Sequence, residues 1–298
     1  MRIKHRGMKK KTLGIIVISL ILIVSFSSCN KEDFTEFNYE NYRLVKIMAY
    51  TSSTAPEPWR WIEYTYDKAG NMVKESNYQI AYMPEPTLSS YTEYEYSGNK
   101  KVKENVYDGQ VGNLKFSAYT NYYYVGDNLI REEYYWVGSS PLRSSKHYEY
   151  DERGNLVRRY SYEPDRGIFH DYYYSYDDQN RLILDSDYRY TYDDRGRLIK
   201  REFLTDNGLY DYIEEIYNGT SKSPEKTVYY DRDGNIALEY QHFYDEWGNL
   251  VETLSGDCLS FKRKYIQGLL IEEIDYYYYY PFEGYSEGGV ARYVYERR

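Results

Sequence analysis

Tyr148-Glu149-Tyr150-Asp151-Glu152-Arg153-Gly154-Asn155-Leu156-Val157 is the stretch that decides the fold. Its Tyr-x-Tyr start puts two rings on one side of an extended chain, because side chains alternate faces along a strand. Asp151 can accept a hydrogen bond from the backbone two residues on. Gly154 supplies the positive φ with which a type I turn plus bulge reverses a hairpin. Leu156-Val157 then opens the returning strand. The segment predicts a hairpin, and its recurrence predicts an all-β chain.

The pattern returns from Tyr64 to Val73, from Tyr190 to Ile199 and from Phe243 to Val251. Tyr174 to Ile183 keeps it with Asn180 in place of Gly, the substitute that best tolerates positive φ. Tyr230 to Ile236 keeps its second half, and shorter versions stand at Tyr96-Ser97-Gly98-Asn99, Tyr124 to Ile130 and Gln267 to Ile271. The residues assigned a structural role in turns are Asp67, Gly70, Asp151, Gly154, Asp177, Asn180, Asp193, Gly196, Gly234, Asp245 and Gly248. Tyrosines 66, 96, 124, 150 and 176 stand 26 to 30 residues apart, after which the spacing is irregular. That period holds two strands of about ten residues and two connections.

This series resembles the YD-repeat (RHS-type) family over roughly residues 60 to 275. The resemblance implies tandem antiparallel hairpins forming one long curved sheet, barrel-like or spiral. With the opening Tyr42-Arg43-Leu44-Val45-Lys46-Ile47, the chain also resembles Bacteroidota surface lipoproteins of unknown function with a porin-like fold. Large RHS proteins enclose a toxin and carry an aspartate-rich release segment before a variable effector. Here the last residues are Tyr293-Val294-Tyr295-Glu296-Arg297-Arg298, so the expectation is that the toxin role does not carry over.

Composition fits a sheet built on aromatic rings. Of 298 residues 44 are Tyr, and the hydrophobic fraction is 42%. Without Tyr that fraction falls to about 27%, too low for an ordinary core of this size unless the rings are packed. A mean hydropathy of -0.83 does not imply disorder, because each Tyr carries a large apolar ring under one hydroxyl. Only 8 Pro and 20 Gly also argue against a low-complexity linker.

Residues 1–28 read as a lipoprotein signal peptide. Arg2, Lys4, Arg6, Lys9, Lys10 and Lys11 precede an apolar stretch from Leu13 to Phe26, short for a membrane span of about 20 residues. Phe26-Ser27-Ser28-Cys29 resembles a lipobox, with Phe where Leu is usual, and makes Cys29 the expected lipidation site; the alternative is an exported free thiol. Asn30-Lys31-Glu32-Asp33 opens an acidic tether over 29–40 that resembles a surface-export tag, or is a solvated linker. The β domain is then 41–298. Its expected location is the outer membrane, lipid-anchored and exposed at the cell surface, since two acyl chains suffice for stable attachment. Cleavage removes six cations, taking the formal net charge from -9 to about -15, which excludes nucleic acid as a partner. With Cys29 lipidated, Cys258 has no partner, so no disulfide staple is expected. A barrel embedded in the membrane is disfavoured, because Arg158 and Arg159 are adjacent and occupy both faces of one strand. A lipid-facing Arg costs about 2 to 4 kcal/mol at the bilayer midplane.

Residues with catalytic potential do not fall into a recognisable pattern. His147, His170 and His242 show no ligand spacing and read as scattered surface histidines; no metal or cofactor is expected. The recurring aspartates all fall at turn starts, where a local role accounts for them better than a glycosidase pair does. Asp231-Arg232-Asp233-Gly234-Asn235 has Gly fourth rather than sixth, so it reads as a turn and not an EF-hand loop. Tyr172 to Tyr176 and Tyr276, Tyr277, Tyr278, Tyr279 and Tyr280 place rings on both strand faces. The second run could stack on sugar rings, although cross-strand Tyr ladders explain it too. The expected function is a non-enzymatic, surface-exposed scaffold or binding surface for a glycan or protein partner. The alternative is a glycan-binding or glycan-active enzyme.

Overall fold

The structure is a computed structural model, and it describes residues 42–80, 86–110, 112–138, 142–205, 209–256, 258–266, 268–278 and 285–297. Cys29, the 1–28 signal and the 29–40 tether lie outside the described residues. What is described is all β, in twenty-one strands. The first seven are β1 (Tyr42–Tyr50), β2 (Arg60–Tyr66), β3 (Met72–Gln79), β4 (Thr87–Ser97), β5 (Lys100–Gln110), β6 (Asn113–Val125) and β7 (Asn128–Trp136). There follow β8 (Ser144–Tyr150), β9 (Leu156–Glu163), β10 (Gly167–Tyr173), β11 (Ser175–Tyr176), β12 (Leu182–Leu184), β13 (Tyr188–Tyr192) and β14 (Leu198–Phe203). The last are β15 (Tyr212–Ile216), β16 (Lys226–Tyr230), β17 (Ile236–Tyr244), β18 (Leu250–Ser255), β19 (Cys258–Ile266), β20 (Leu269–Tyr278) and β21 (Tyr285–Arg297).

The turn motif fixes both the hairpins and their register. In the first copy Asp67 N–H donates to Asn71 O at 2.9 Å and Gly70 N–H to Asp67 O at 3.2 Å, while Gly70 sits at φ +89°. That is a type I turn closed by a bulge with the glycine left-handed. The partner register slips by one residue as the chain enters Tyr66, and it slips likewise at Tyr96, Tyr124, Tyr150, Tyr176, Tyr192, Tyr244 and Tyr265. One extra residue per hairpin end increases local twist and bends the sheet in the same sense each time.

Each strand pairs antiparallel with its successor, and β10 and β11 are two halves of one bent pass. β10 pairs β9, whereas β11 pairs β12. The bend falls where His170 takes φ +49° and the β10 register slips between Phe169 and Tyr172. β1 pairs with β2 on one side and with β21 on the other, from Tyr42↔Arg297 to Tyr50↔Val290. The meander therefore comes round on itself into a barrel-like ring, thinnest where β12 and β13 meet only at Leu184↔Arg189.

A ring of single-layer sheet has little ordinary core. Among the described residues only Tyr50, Ala118, Ile213, Val228 and Val290 are buried hydrophobics. Most other side chains are half-buried on one face or the other. Cohesion has to come from backbone pairing and from contacts between neighbouring side chains on each face.

Candidate functional site

Alternating passes place the connections on two rims. The turns at 67–71, 151–155, 177–181, 193–197 and 245–249 share one rim, and they are clamped by a common arrangement. Asp151 Oδ1 accepts the backbone N–H of Arg153 at 2.9 Å and of Asn155 at 2.8 Å, and its Oδ2 accepts Asn155 Nδ2 at 3.0 Å. Asp67 with Asn71 and Asp245 with Asn249 repeat this. At Asp177 and Asp193 the last donor is Arg181 or Arg197 Nε, each at 2.7 Å. The Asn71 amide holds the Asp67 carboxyl below its ordinary range, and the Asn155 amide does so for Asp151. The Asp231 turn uses the same bonds but joins β16 to β17 on the other rim, which is one source of the irregular late spacing.

One face carries the motif tyrosines, and their hydroxyls form a ladder across the hairpins. Tyr66 donates to Leu44 O at 2.6 Å, Tyr96 to Met72 O at 2.9 Å, Tyr124 to Lys101 O at 2.9 Å and Tyr150 to Leu129 O at 2.8 Å. Tyr176, Tyr192, Tyr217, Tyr244 and Tyr265 continue the series onto Leu156, Leu182, Leu198, Pro224 and Leu250. Each hydroxyl satisfies a backbone carbonyl near the base of the preceding hairpin.

Beside that ladder the same face pairs rings with charge. Tyr64, Tyr94 and Tyr122 stand directly opposite Glu75, Glu104 and Glu132, and Tyr148 stands opposite Arg159. Tyr122 donates to Glu104 at 2.9 Å and Tyr148 to Glu132 at 2.6 Å. Burial, with Glu75 nearby, pushes Tyr64 up to about 12. Burial and neighbouring carboxylates also raise Tyr94, Tyr122 and Tyr148, and burial raises Glu75 itself. Further round the ring a hydrogen-bonded chain crosses five strands. Arg201 donates to Glu215 at 2.7 Å and Thr227 donates to Glu215 at 2.6 Å. His242 lies between Thr227 and Thr253 with its nitrogens 2.9 and 3.0 Å from their hydroxyls. Burial lowers the His242 pKa against the pull of Glu215, so the ring is neutral near pH 7.

The other rim and the adjoining opposite face carry exposed apolar side chains and a cleft. Trp59, Ile80, Trp136, Val137, Ile168, Leu204 and Leu209 are exposed there. Three cations lie over rim aromatics: Arg60 on Trp59, Arg143 on Trp136 and Arg166 on Phe169, at 4.5 to 5.0 Å. Between β7 and β10 a cleft of about 350 Å³ opens. Arg131 and Glu133 of β7, Ser145 and His147 of β8, Tyr160 and Tyr162 of β9 and Ile168 of β10 line it, with Leu142 from the β7–β8 connection. Ser145 Oγ is 2.9 Å from His147 Nε2, and His147 stacks on Tyr160 at 4.7 Å. Glu133 Oε2 accepts the hydroxyls of Tyr123 at 2.7 Å and Tyr135 at 3.0 Å.

No family model matches the chain, and no curated protein matches it. Solved structures do. A Bacteroides fragilis protein of unknown function is 15% identical, with a TM-score of 0.30, covering 43% of this chain and 90% of its own. A porin-like protein from Bacteroides uniformis is 10% identical, with a TM-score of 0.35, covering 85% of this chain and 98% of its own. The Photorhabdus luminescens Tc holotoxin pore is 12% identical, with a TM-score of 0.33, and covers 78% of this chain. This chain spans 13% of that protein's length.

The sequence-derived turn residues thus divide between the two rims, with Gly234 on the second and the others on the first. Gly154, Gly196, Gly234 and Gly248 have φ between +77° and +84°, and Asn180 has +61°. The glycan-binding expectation at Tyr276 to Tyr280 is only partly within view. Tyr276 is half-buried on β20, while Tyr279, Tyr280 and the side chains of Tyr277 and Tyr278 lie outside the described residues. Two histidines depart from the surface reading: His147 and His242 are half-buried and bonded to hydroxyls from their own or adjacent strands. Strand alternation puts them among polar neighbours, a placement that their scattered spacing did not reveal. The β7–β10 cleft was missed because Arg131, Ser145, Tyr162 and Ile168 come from four strands.

Proposed function

We propose that this chain is a lipid-tethered protein of the outer cell surface. Its YD-repeat-type ring is a non-enzymatic scaffold that presents the loop rim to an extracellular ligand. The observation that carries this reading is the preponderance of exposed Trp, Ile and Leu on one rim, where Trp59, Ile80, Trp136, Ile168, Leu204, Leu209 and Ile236 stand against Trp247, Ile216 and Ile266 on the other. Exposed apolar groups gathered this way mark interaction sites, whereas singly scattered ones need no explanation. The scaffold role is supported by where the reactive side chains go. Turn aspartates are consumed by backbone N–H groups and motif hydroxyls by carbonyls, and many carboxylates are held by Tyr, Lys or Arg. Lipid tethering rests on the Cys29 motif.

The test has two arms. Cys29→Ala should abolish lipid labelling and release the protein from membranes in a carbonate wash; persistent attachment would overturn the anchoring. A Trp59→Ala/Trp136→Ala double variant should lose retention on arrays of glycans and extracellular proteins that hold the parent, with its melting temperature near the parental value. Turnover of any arrayed glycan by the purified parent would replace the scaffold by an enzyme.

A further inference from the structure

We infer that the cleft spanning β7 to β10 is a binding site for one neutral sugar unit. The inference rests on reading the protein as a surface binding scaffold, and adds the ligand class and the residues that hold it. The recess follows from register. Across the sheet Glu133 stands opposite Ser145, Ser145 opposite Tyr162, and Tyr162 opposite Ile168. One short side chain in a row of long ones leaves a notch. Its volume of about 350 Å³ is at the lower end of the range of small-molecule sites, about 300 to 1,000 Å³.

The two walls differ in a way that matches a pyranose. Tyr162 and Ile168, on β9 and β10, offer an apolar surface to the C–H face of a sugar ring. Opposite them Arg131 donates and Glu133 accepts, the combination that adjacent sugar hydroxyls require because each can do both. Arg131 Nε lies 3.2 Å from Glu133 Oε1, yet it is misaligned for a hydrogen bond and remains buried without a partner. That nitrogen has no surface for a ligand to reach, but the Arg131 side chain as a whole is 41% exposed, which leaves its terminal amino groups as the donors a sugar hydroxyl would meet. The charges of Arg131 and Glu133 cancel, and burial, with Arg131 beside it, keeps His147 neutral at pH 7. Such a lining favours an uncharged ligand over a uronate.

The experiment titrates the full folded chain with methyl glycosides of glucose, galactose, mannose and N-acetylglucosamine, and with glucuronic acid, by calorimetry. At least one methyl glycoside should bind saturably at about millimolar strength, with glucuronic acid about tenfold weaker or worse. Ile168→Arg blocks the cleft mouth at a residue that is 53% exposed, so folding should survive it. Arg131→Met removes the donor while keeping the length of the stem. Each should weaken the bound glycoside by about tenfold or more at a melting temperature near the parent's. Failure of the parent to bind any neutral glycoside overturns the site, as does binding unchanged in Ile168→Arg or a preference for glucuronic acid. Rim-dependent retention that persists with the cleft blocked would sink the sugar site alone. Loss of all ligand retention by the parent would sink the scaffold reading as well.

Discussion

Residue by residue, the tyrosine hydroxyl does as much for this sheet as the ring. Tyr124→Phe and Tyr150→Phe each keep the ring but leave the carbonyl of Lys101 or Leu129 without its donor. Each should lower stability by about 0.5 to 1.5 kcal/mol, read from urea midpoints. Tyr173→Phe, at a ring that is 55% exposed, should be nearly neutral. Gly154→Val should cost more than about 1 kcal/mol, because a β-branched residue is strained at φ +83°, where the surrounding space is open and backbone strain acts alone. Asn180→Gly should leave the midpoint close to parental. An unshifted midpoint for Gly154→Val would mean that the turn tolerates a different geometry. Asp151 and Gly154 were legible in the sequence because the turn closes within five residues. The acceptor of Tyr150 lies 21 residues upstream, so its bond could not be read from the motif. Asn155 was given no role in the sequence reading, although the same residue recurs as Asn71, Asn235 and Asn249.

Element by element, the weak and the indispensable strands can be told apart. β11 has two residues and β12 three, whereas β21 is paired on both sides along most of its length. Ala291 faces Ala49 on one neighbour and Glu273 on the other. Ala291→Pro should therefore break the closing seam, cost about 1 to 3 kcal/mol for the ladder bond it removes, and expose two unpaired edges. The expected readout is a lowered melting temperature with aggregation in size-exclusion chromatography; a monomer of parental stability would contradict the closure. Hairpin identity was readable from the 26-to-30 period. The loss of that period after Tyr176 was not, since it comes from the short β12 and β13, which bring Tyr192 only 16 residues after Tyr176, and from a motif turn on the opposite rim at Asp231.

Across the whole molecule, stability should fall at both ends of the pH scale, and the signs can be worked out. Asp67 and Asp151 have folded values lowered by the Asn amides that bind them, and Asp177 and Asp231 by backbone donors. Their contribution is present above the unfolded value of about 3.9 and is lost as pH falls through the lower folded values. The tyrosines move the other way. Burial raises Tyr64 and Tyr293 to about 12, so their contribution is complete below the unfolded value of about 10 and is lost as pH rises toward 12. Tyrosinate absorbance and β-sheet circular dichroism should therefore change together in that alkaline window. Tyrosinate formation continuing to about pH 12 with the sheet signal unchanged would refute the coupling. The aromatic composition made this packing legible, while closure through β1 and β21 was not, because it joins segments separated by nearly the whole chain.

That closure imposes a rule of parity. A ring in which every neighbour runs the opposite way can be completed only by an even number of passes, and the twenty-one strands satisfy this because β10 and β11 share one. Length can therefore change only a hairpin at a time. Removing or duplicating one repeat would alter the circumference and keep both rims intact, whereas losing a single pass would bring β1 and β21 together pointing the same way and leave the seam unable to zip.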